Sequence, residues 1–163
     1  MADKADRTTV RDAAEADLDR IAELWAEMID MHHDLDERFW VRKPDGQEIF
    51  HEWMAGAVDD EKRVLVVAEV DGAVAGYVHG HIAGAPPPMQ DRITGSITDV
   101  SVGFNYRGKG VGKKMMAAVL EWFAARGAEE VTLLAALKNE CAVGFYEHLG
   151  FEKYTVTMWK SLG

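Results

Sequence analysis

The stretch ITDVSVGFNYRGKGVGKKM, residues 97–115, constrains this chain more than any other. Its first half alternates like a strand. Three glycines follow, Gly108, Gly110 and Gly112, and then the apolar spacing of a helix begins. A strand that passes through glycines into a helix belongs to a layered α/β fold. It also sets up an electrostatic site. Glycines bend the chain sharply and let amide N–H groups approach a ligand. The first N–H groups of a helix have no intrahelical partner, and the helix dipole makes that end positive. Arg107, Lys109, Lys113 and Lys114 add four basic residues within eight positions, with no acid among them. The segment reads as an anion cradle, and phosphates are its natural occupants. A glycine turn with a solvated basic face is the plainer alternative.

Two familiar phosphate sites do not fit. A Walker loop needs four residues between its first glycine and Gly-Lys, with Ser or Thr next. Here Lys113 is followed by Lys114. A dinucleotide fingerprint opens an early strand–helix–strand unit. Here the glycines come late, after a strand hairpin.

Net charge sharpens the contrast. The chain of 163 residues carries -10, yet residues 1–62 hold 18 acidic and 8 basic residues while residues 63–163 hold 10 of each. The first third therefore holds the whole excess, which serves solubility or draws a cationic partner to a site mouth. A general nucleic-acid binder needs a basic face, so no nucleic-acid partner is expected. No run of eighteen apolar residues exists, so no membrane partner is expected. The charged start, MADKADRTTVRDA, lacks the apolar core of a secretion signal. The single cysteine, Cys141, forms no internal disulfide, and a cytoplasmic location is expected. Cys141 sits in no protease-like pattern and reads as packing rather than as a nucleophile.

The length suits one domain, 1–163. Residues 8–11 read as a short strand and 14–31 as a helix with Leu18, Ile21, Leu24 or Trp25, and Met28 on its apolar stripe. HHDLDERFWVRKPDG breaks that pattern, and a second helix is predicted over about 47–58. RVLVVAEV and AVAGYVHGHI flank Asp71-Gly72, a hairpin signal. GAPPPMQDR, residues 84–92, is a loop. ITGSITDVSV, 93–102, is a third long strand. A helix over about 110–126, a nearly continuous apolar run EVTLLAAL at 130–137 that reads as a central parallel strand, a helix over about 140–148 capped by Asn139, and a last strand FEKYTVTMWK complete the chain. The fold class is a mixed, largely antiparallel α/β sheet with helices on both faces.

Arg107, Gly110 and Gly112, with Val102 five residues before Arg107, resemble the most characteristic segment of the GNAT N-acetyltransferases. The second segment of that family is similar to ALKNECAVGFYEHLGFEKY, residues 136–154, through Asn139, Ala142, Phe145-Tyr146 and Gly150-Phe151. The two segments stand in the family's order, with a helix and a strand between them. The resemblance covers about residues 8–160 and is weakest over 30–62. Phe104 stands where the family often has proline, which implies a local change of turn shape.

The resemblance implies the GNAT-like acyl-CoA N-acyltransferase fold and acetyl-CoA as cosubstrate. It places the pyrophosphate on the backbone N–H groups of Arg107, Gly108, Lys109, Gly110, Val111 and Gly112, beside Lys113. It lays the pantetheine arm along the strand at Val100 and Val102. The Val102 N–H polarises the thioester carbonyl. The resemblance also implies that Tyr146 protonates the leaving thiolate, an amphipathic core tyrosine being the alternative reading, and that Asn139 bonds the cofactor arm, caps its own helix, or both. The reaction is direct attack of a neutral amine, which first needs a base. Asp99, three residues before Val102, is the candidate, with Ser101 on the same strand face and Val100 and Val102 on the other. A hydrogen-bonded structural acid is the alternative reading of Asp99. Glu69 or a water chain are other candidates for the base.

Two histidine groups remain. His32-His33-Asp34 with Asp36-Glu37 reads either as the lining of an acceptor entrance, with Phe39 and Trp40 as an apolar wall, or as a solvated helix end. His79 and His81 share a strand face. Neither group has a recognised zinc spacing, and no metal site is expected. The partner is a small-molecule or peptide amine, and the acidic first third favours a cationic one such as a polyamine, an aminoglycoside-like compound or a basic peptide. The alternative of another class is a catalytically weak module that binds or senses acyl-CoA. Sheet edges of this fold admit a homodimer, which no residue pattern fixes.

Overall fold

The computed structural model describes residues 8–163. Residues 1–7, most of the charged start, lie outside them. The order is β1 (Thr8–Asp12), a 3-10 turn (Glu15–Asp17), α1 (Leu18–Leu35), α2 (Gly46–Ala55), β2 (Arg63–Val70), β3 (Ala73–Gly84), β4 (Ile93–Val102), a 3-10 turn (Phe104–Tyr106), α3 (Val111–Ala125), β5 (Glu130–Leu133) and α4 (Glu140–His148). No helix among the described residues is long and apolar enough to cross a membrane.

The strands form one sheet in the order β1-β2-β3-β4-β5. The first three junctions are antiparallel and β4–β5 is parallel. Leu65 and Val67 of β2 face a core made with Leu18, Ile21, Leu24, Phe50 and Met54 of α1 and α2. Val64, Val66 and Ala68 face the other core, with Met115, Val119 and Phe123 of α3. RVLVVAEV is thus buried on both faces, which is why it reads as an unbroken apolar run. The hairpin turn is as expected: Asp71 and Gly72 both take positive φ, 53° and 81°, as a tight two-residue turn requires.

Three elements depart from the sequence reading. Helix α1 continues to Leu35, because His32, His33 and Asp34 are tolerated in a helix; the chain turns extended only at Asp36, with φ -154°. Strand β5 is four residues long and lies at the sheet edge. Its ladder with β4 ends at the pair Ile97–Leu133, and beyond it Leu134 and Leu137 are exposed. The apolar run 130–137 signalled a central strand, but a run does not record where its neighbour diverges. The predicted last strand is absent: residues 151–163 carry no regular secondary structure. Alternation predicts an extended chain, whereas a strand also needs an edge to receive it.

Candidate active site

Two structural decisions shape the site. The first is the turn after β4. Gly110 is the residue before α3, with φ 82°, and Gly108 has φ 71°. A Cβ at either would meet nothing within 4 Å, so it is the backbone conformation, not crowding, that calls for glycine. No side chain caps α3. The N–H of Lys114 bonds to the Gly110 carbonyl, so the N–H groups of Val111, Gly112 and Lys113 precede the first intrahelical bond. The basic residues divide. Arg107, Lys109 and Lys113 are exposed at the turn, whereas Lys114 donates to the carbonyl of Thr8 on β1 at 3.0 Å. Phe104 is 80% exposed and lies against the Arg107 guanidinium, 5.9 Å away.

The second decision is the divergence of β4 from β5. From Asp99 to Val102, β4 pairs with β3 alone. The Gly103 N–H bonds the Ala75 carbonyl at 2.8 Å. By the alternation of an antiparallel ladder, Ser101 and Asp99 then bond toward β3, while the N–H and C=O of Val100 and Val102 point to the open edge. Helix α4 closes this region from the α3 side. Its Phe145 lies against Gly112, where a Cβ would come 3.2 Å from the Phe145 ring and 3.7 Å from Val102. Tyr146 packs into the same core, and burial pushes its hydroxyl up to about 12. Asn139 caps α4, its Oδ1 accepting from the Ala142 N–H at 3.1 Å.

Asp99 and Ser101 point to the α1/α2 face and are buried. The Ser101 hydroxyl donates to the Leu24 carbonyl at 3.1 Å. The Asp99 carboxylate lies 3.6 Å from His79 Nδ1. The Tyr77 hydroxyl is buried with no hydrogen-bond partner among the described residues; burial, then the Asp99 charge, push it well above the usual tyrosine value. His79 bonds Arg63 and Thr98 as well. Sequence reasoning met His79 only as a metal candidate and missed Arg63, Thr98 and Tyr77. The alternation of β3 and β4 placed them on faces but not in register, because a bulge shifts the pairing after His79.

Glu69 stands elsewhere. It lies on β2, with β3 between it and β4, and pairs with Arg11 at 2.6 Å. Arg11 also binds Asp17, holding that carboxyl below its usual range.

The C-terminal half of α1 runs beside the turn, with Arg107 Nη1 3.7 Å from Met31 Sδ. His32 Nδ1 bonds the Met28 carbonyl and its ring packs on Phe39 at 5.3 Å. Trp40 is 89% exposed. Asp36 pairs with Arg38 and, at 3.3 Å, with Lys138, next to the Asn139 cap. Those bonds, Arg38 foremost, hold its carboxyl far below the ordinary range. They tie the end of α1 to the loop before α4. Four acidic side chains, Asp19, Glu23, Glu48 and Glu52, line an open cleft of about 710 Å³ between α1 and α2, together with Arg42 and His51. Glu23 and Met31 are separated by about 12 Å along α1.

Residues 21–151 match the family model described as the Acetyltransferase (GNAT) family. An uncharacterised N-acetyltransferase of Methanocaldococcus jannaschii is 26% identical over 148 residues, 91% of this chain and 62% of that protein. N-alpha-acetyltransferase 30 of Schizosaccharomyces pombe is 39% identical over 62 residues, 38% of this chain and 41% of that protein. The chain thus spans less than two thirds of the length of either relative. A crystal structure of a mutant Bacillus halodurans protein superposes with a TM-score of 0.82 at 26% identity, covering 94% of this chain and 99% of that one.

Proposed function

The chain belongs to the acetyltransferase (GNAT) family, and from that premise we propose that it is an acetyl-CoA-dependent N-acetyltransferase acting on a primary amine. One observation carries the reading: the open edge of β4 at Val100 and Val102 leads through the glycine turn to the uncapped start of α3. A strand edge takes an extended, amide-bearing partner. A helix start with glycines takes phosphate. Acetyl-CoA carries both groups in that order and supplies an activated thioester.

The chain's own residues then divide the work. Val100 and Val102 align the arm, and the backbone from Arg107 to Gly112, beside Lys113, holds the pyrophosphate. Asp99 lies on the α1/α2 face of β4 and Tyr146 on the α3/α4 side. An amine entering past α1 meets Asp99, which takes its proton. The amine nitrogen forms the new bond to the acetyl carbon as the carbon–sulfur bond breaks. Tyr146 protonates the departing sulfur and regains a proton from the acylated nitrogen, which must lose its second hydrogen to become the amide; a buried tyrosine hydroxyl stays protonated at neutral pH. The acceptor is a cationic amine, supported by the acidic excess of residues 1–62.

Thiol release measured over a panel of polyamines, aminoglycosides, basic peptides and neutral amines tests this. Acetylation of amines, fastest for cationic ones, is expected. Bound acetyl-CoA with no thiol release above hydrolysis for any amine would overturn it.

A further inference from the structure

His79 is 2% exposed, in the middle of β3. Its Nε2 lies 3.2 Å from Arg63 Nε. Its Nδ1 lies 2.6 Å from Thr98 Oγ1 and 3.6 Å from Asp99 Oδ2. A guanidinium has only donors. Nε2 must therefore accept, and the neutral ring carries its proton on Nδ1. The next bonds take their direction from this. Thr98 Oγ1 accepts from Nδ1–H and donates its own hydrogen to the His79 carbonyl at 3.3 Å.

This one-way chain ends on a bulge. His79 pairs with Asp99 and Gly80 with Ile97, which leaves Thr98 as the extra residue of β4. The bulge stands where β5 departs, since Ile97 is the last residue paired to it. A bulge re-aims the side chains beside it, and here the neighbour is Asp99. The outer end of the chain is also secured. Trp53 of α2 packs edge-on to the His79 ring at 5.8 Å and carries the Arg63 guanidinium at 5.7 Å. Arg63 Nη2 is buried with no hydrogen-bond partner among the described residues, a cost to folding that comes with placing the guanidinium against Nε2.

We propose that His79 is the positioning residue for Asp99. Its Nδ1–H, held in that tautomer by Arg63, fixes the Thr98 bulge and faces the Asp99 carboxylate, so that Asp99 stands ready at the opening between β4 and β5. The role rests on the reading of Asp99 as the base.

The test has two arms on the full chain. Nitrogen-15 imidazole spectra report the tautomer without turnover. His79 is expected as Nδ1–H, with a mixture in Arg63→Met. An Nε2–H ring in the unaltered protein, or no response to Arg63→Met, overturns the proposal. The second arm is kinetic. Asparagine places an amide nitrogen where Nδ1 stands, and leucine does not. His79→Leu is expected to lose about tenfold or more in kcat with KM for acetyl-CoA unchanged, and His79→Asn to recover most of it. Thr98→Val, at an exposed position, serves if His79→Leu does not fold, and its kcat is expected to fall likewise. Equal loss in His79→Leu and His79→Asn, or unchanged kcat in His79→Leu and Thr98→Val, overturns the proposal. If no amine is acetylated at all, the functional reading falls, and the tautomer arm still decides whether Arg63 sets the His79 ring.

Discussion

Arg107 donates its Nε–H to the backbone carbonyl of Val102 at 2.9 Å. The bond joins the glycine turn to the last residue of β4 and occupies the one acceptor that Val102 presents at the open edge. The Val102 N–H remains as the donor there. Arg107 also meets Phe104 and Met31, so one side chain touches strand, turn and α1.

Removing it loosens the turn. Arg107→Ala is expected to raise the Kd for CoA about tenfold, roughly 1.4 kcal/mol, with circular dichroism unchanged. Titration calorimetry checks this, and an unaltered Kd would deny Arg107 a part in holding the turn for the ligand.

Tyr146→Phe separates chemistry from binding. We expect kcat to fall about 100-fold while CoA affinity stays the same. The ionisation has a stability counterpart. The folded value is about 12 against an ordinary 10.0. Between these pH values the unfolded chain has lost the proton and the folded chain keeps it, so this group makes stability fall as pH rises. Denaturant melts from pH 9 to 12 are expected to show a loss of about 2–3 kcal/mol that is missing in the phenylalanine variant. Identical slopes would mean that the hydroxyl is not buried as described.

Gly95→Ala tests the packing behind the site. A Cβ there would come 2.7 Å from the Phe123 ring, which lies flat on the sheet. The expected cost is about 1–3 kcal/mol, read by urea unfolding. Shortening the ring in the double variant with Phe123→Leu is expected to recover part of it. A neutral single variant would contradict the close approach.

The local backbone geometry around the candidate site was legible because it rests on local rules. Positive φ at Gly108 and Gly110, the Asn139 cap and the Asp71-Gly72 turn each depend on a few adjacent residues. What was missed depends on distant ones. The bulge at Thr98 is set by the pairing of β3 with β4. The Arg63–His79 bond crosses from β2 to β3, and neither residue carries a mark of it in its own neighbourhood. The overlong reading of β5 has the same origin. Leu134 and Leu137 look like core in sequence, and only the divergence from β4 leaves them exposed. Helix α1 outran its predicted end because polar residues near a helix end are permitted, not forbidding.

The central claim is that the turn at residues 106–115 holds the pyrophosphate of acetyl-CoA. Calorimetric titration with acetyl-CoA and CoA, beside NAD and ATP, tests it on the unaltered protein and on Gly110→Asp. At φ 82° any side chain is strained, and aspartate adds a like charge to the cradle. Micromolar binding of the CoA pair alone, weakened about 10- to 100-fold in a folded Gly110→Asp variant, is the predicted result. Failure of the folded protein to bind CoA, or equal binding by the variant, would contradict it.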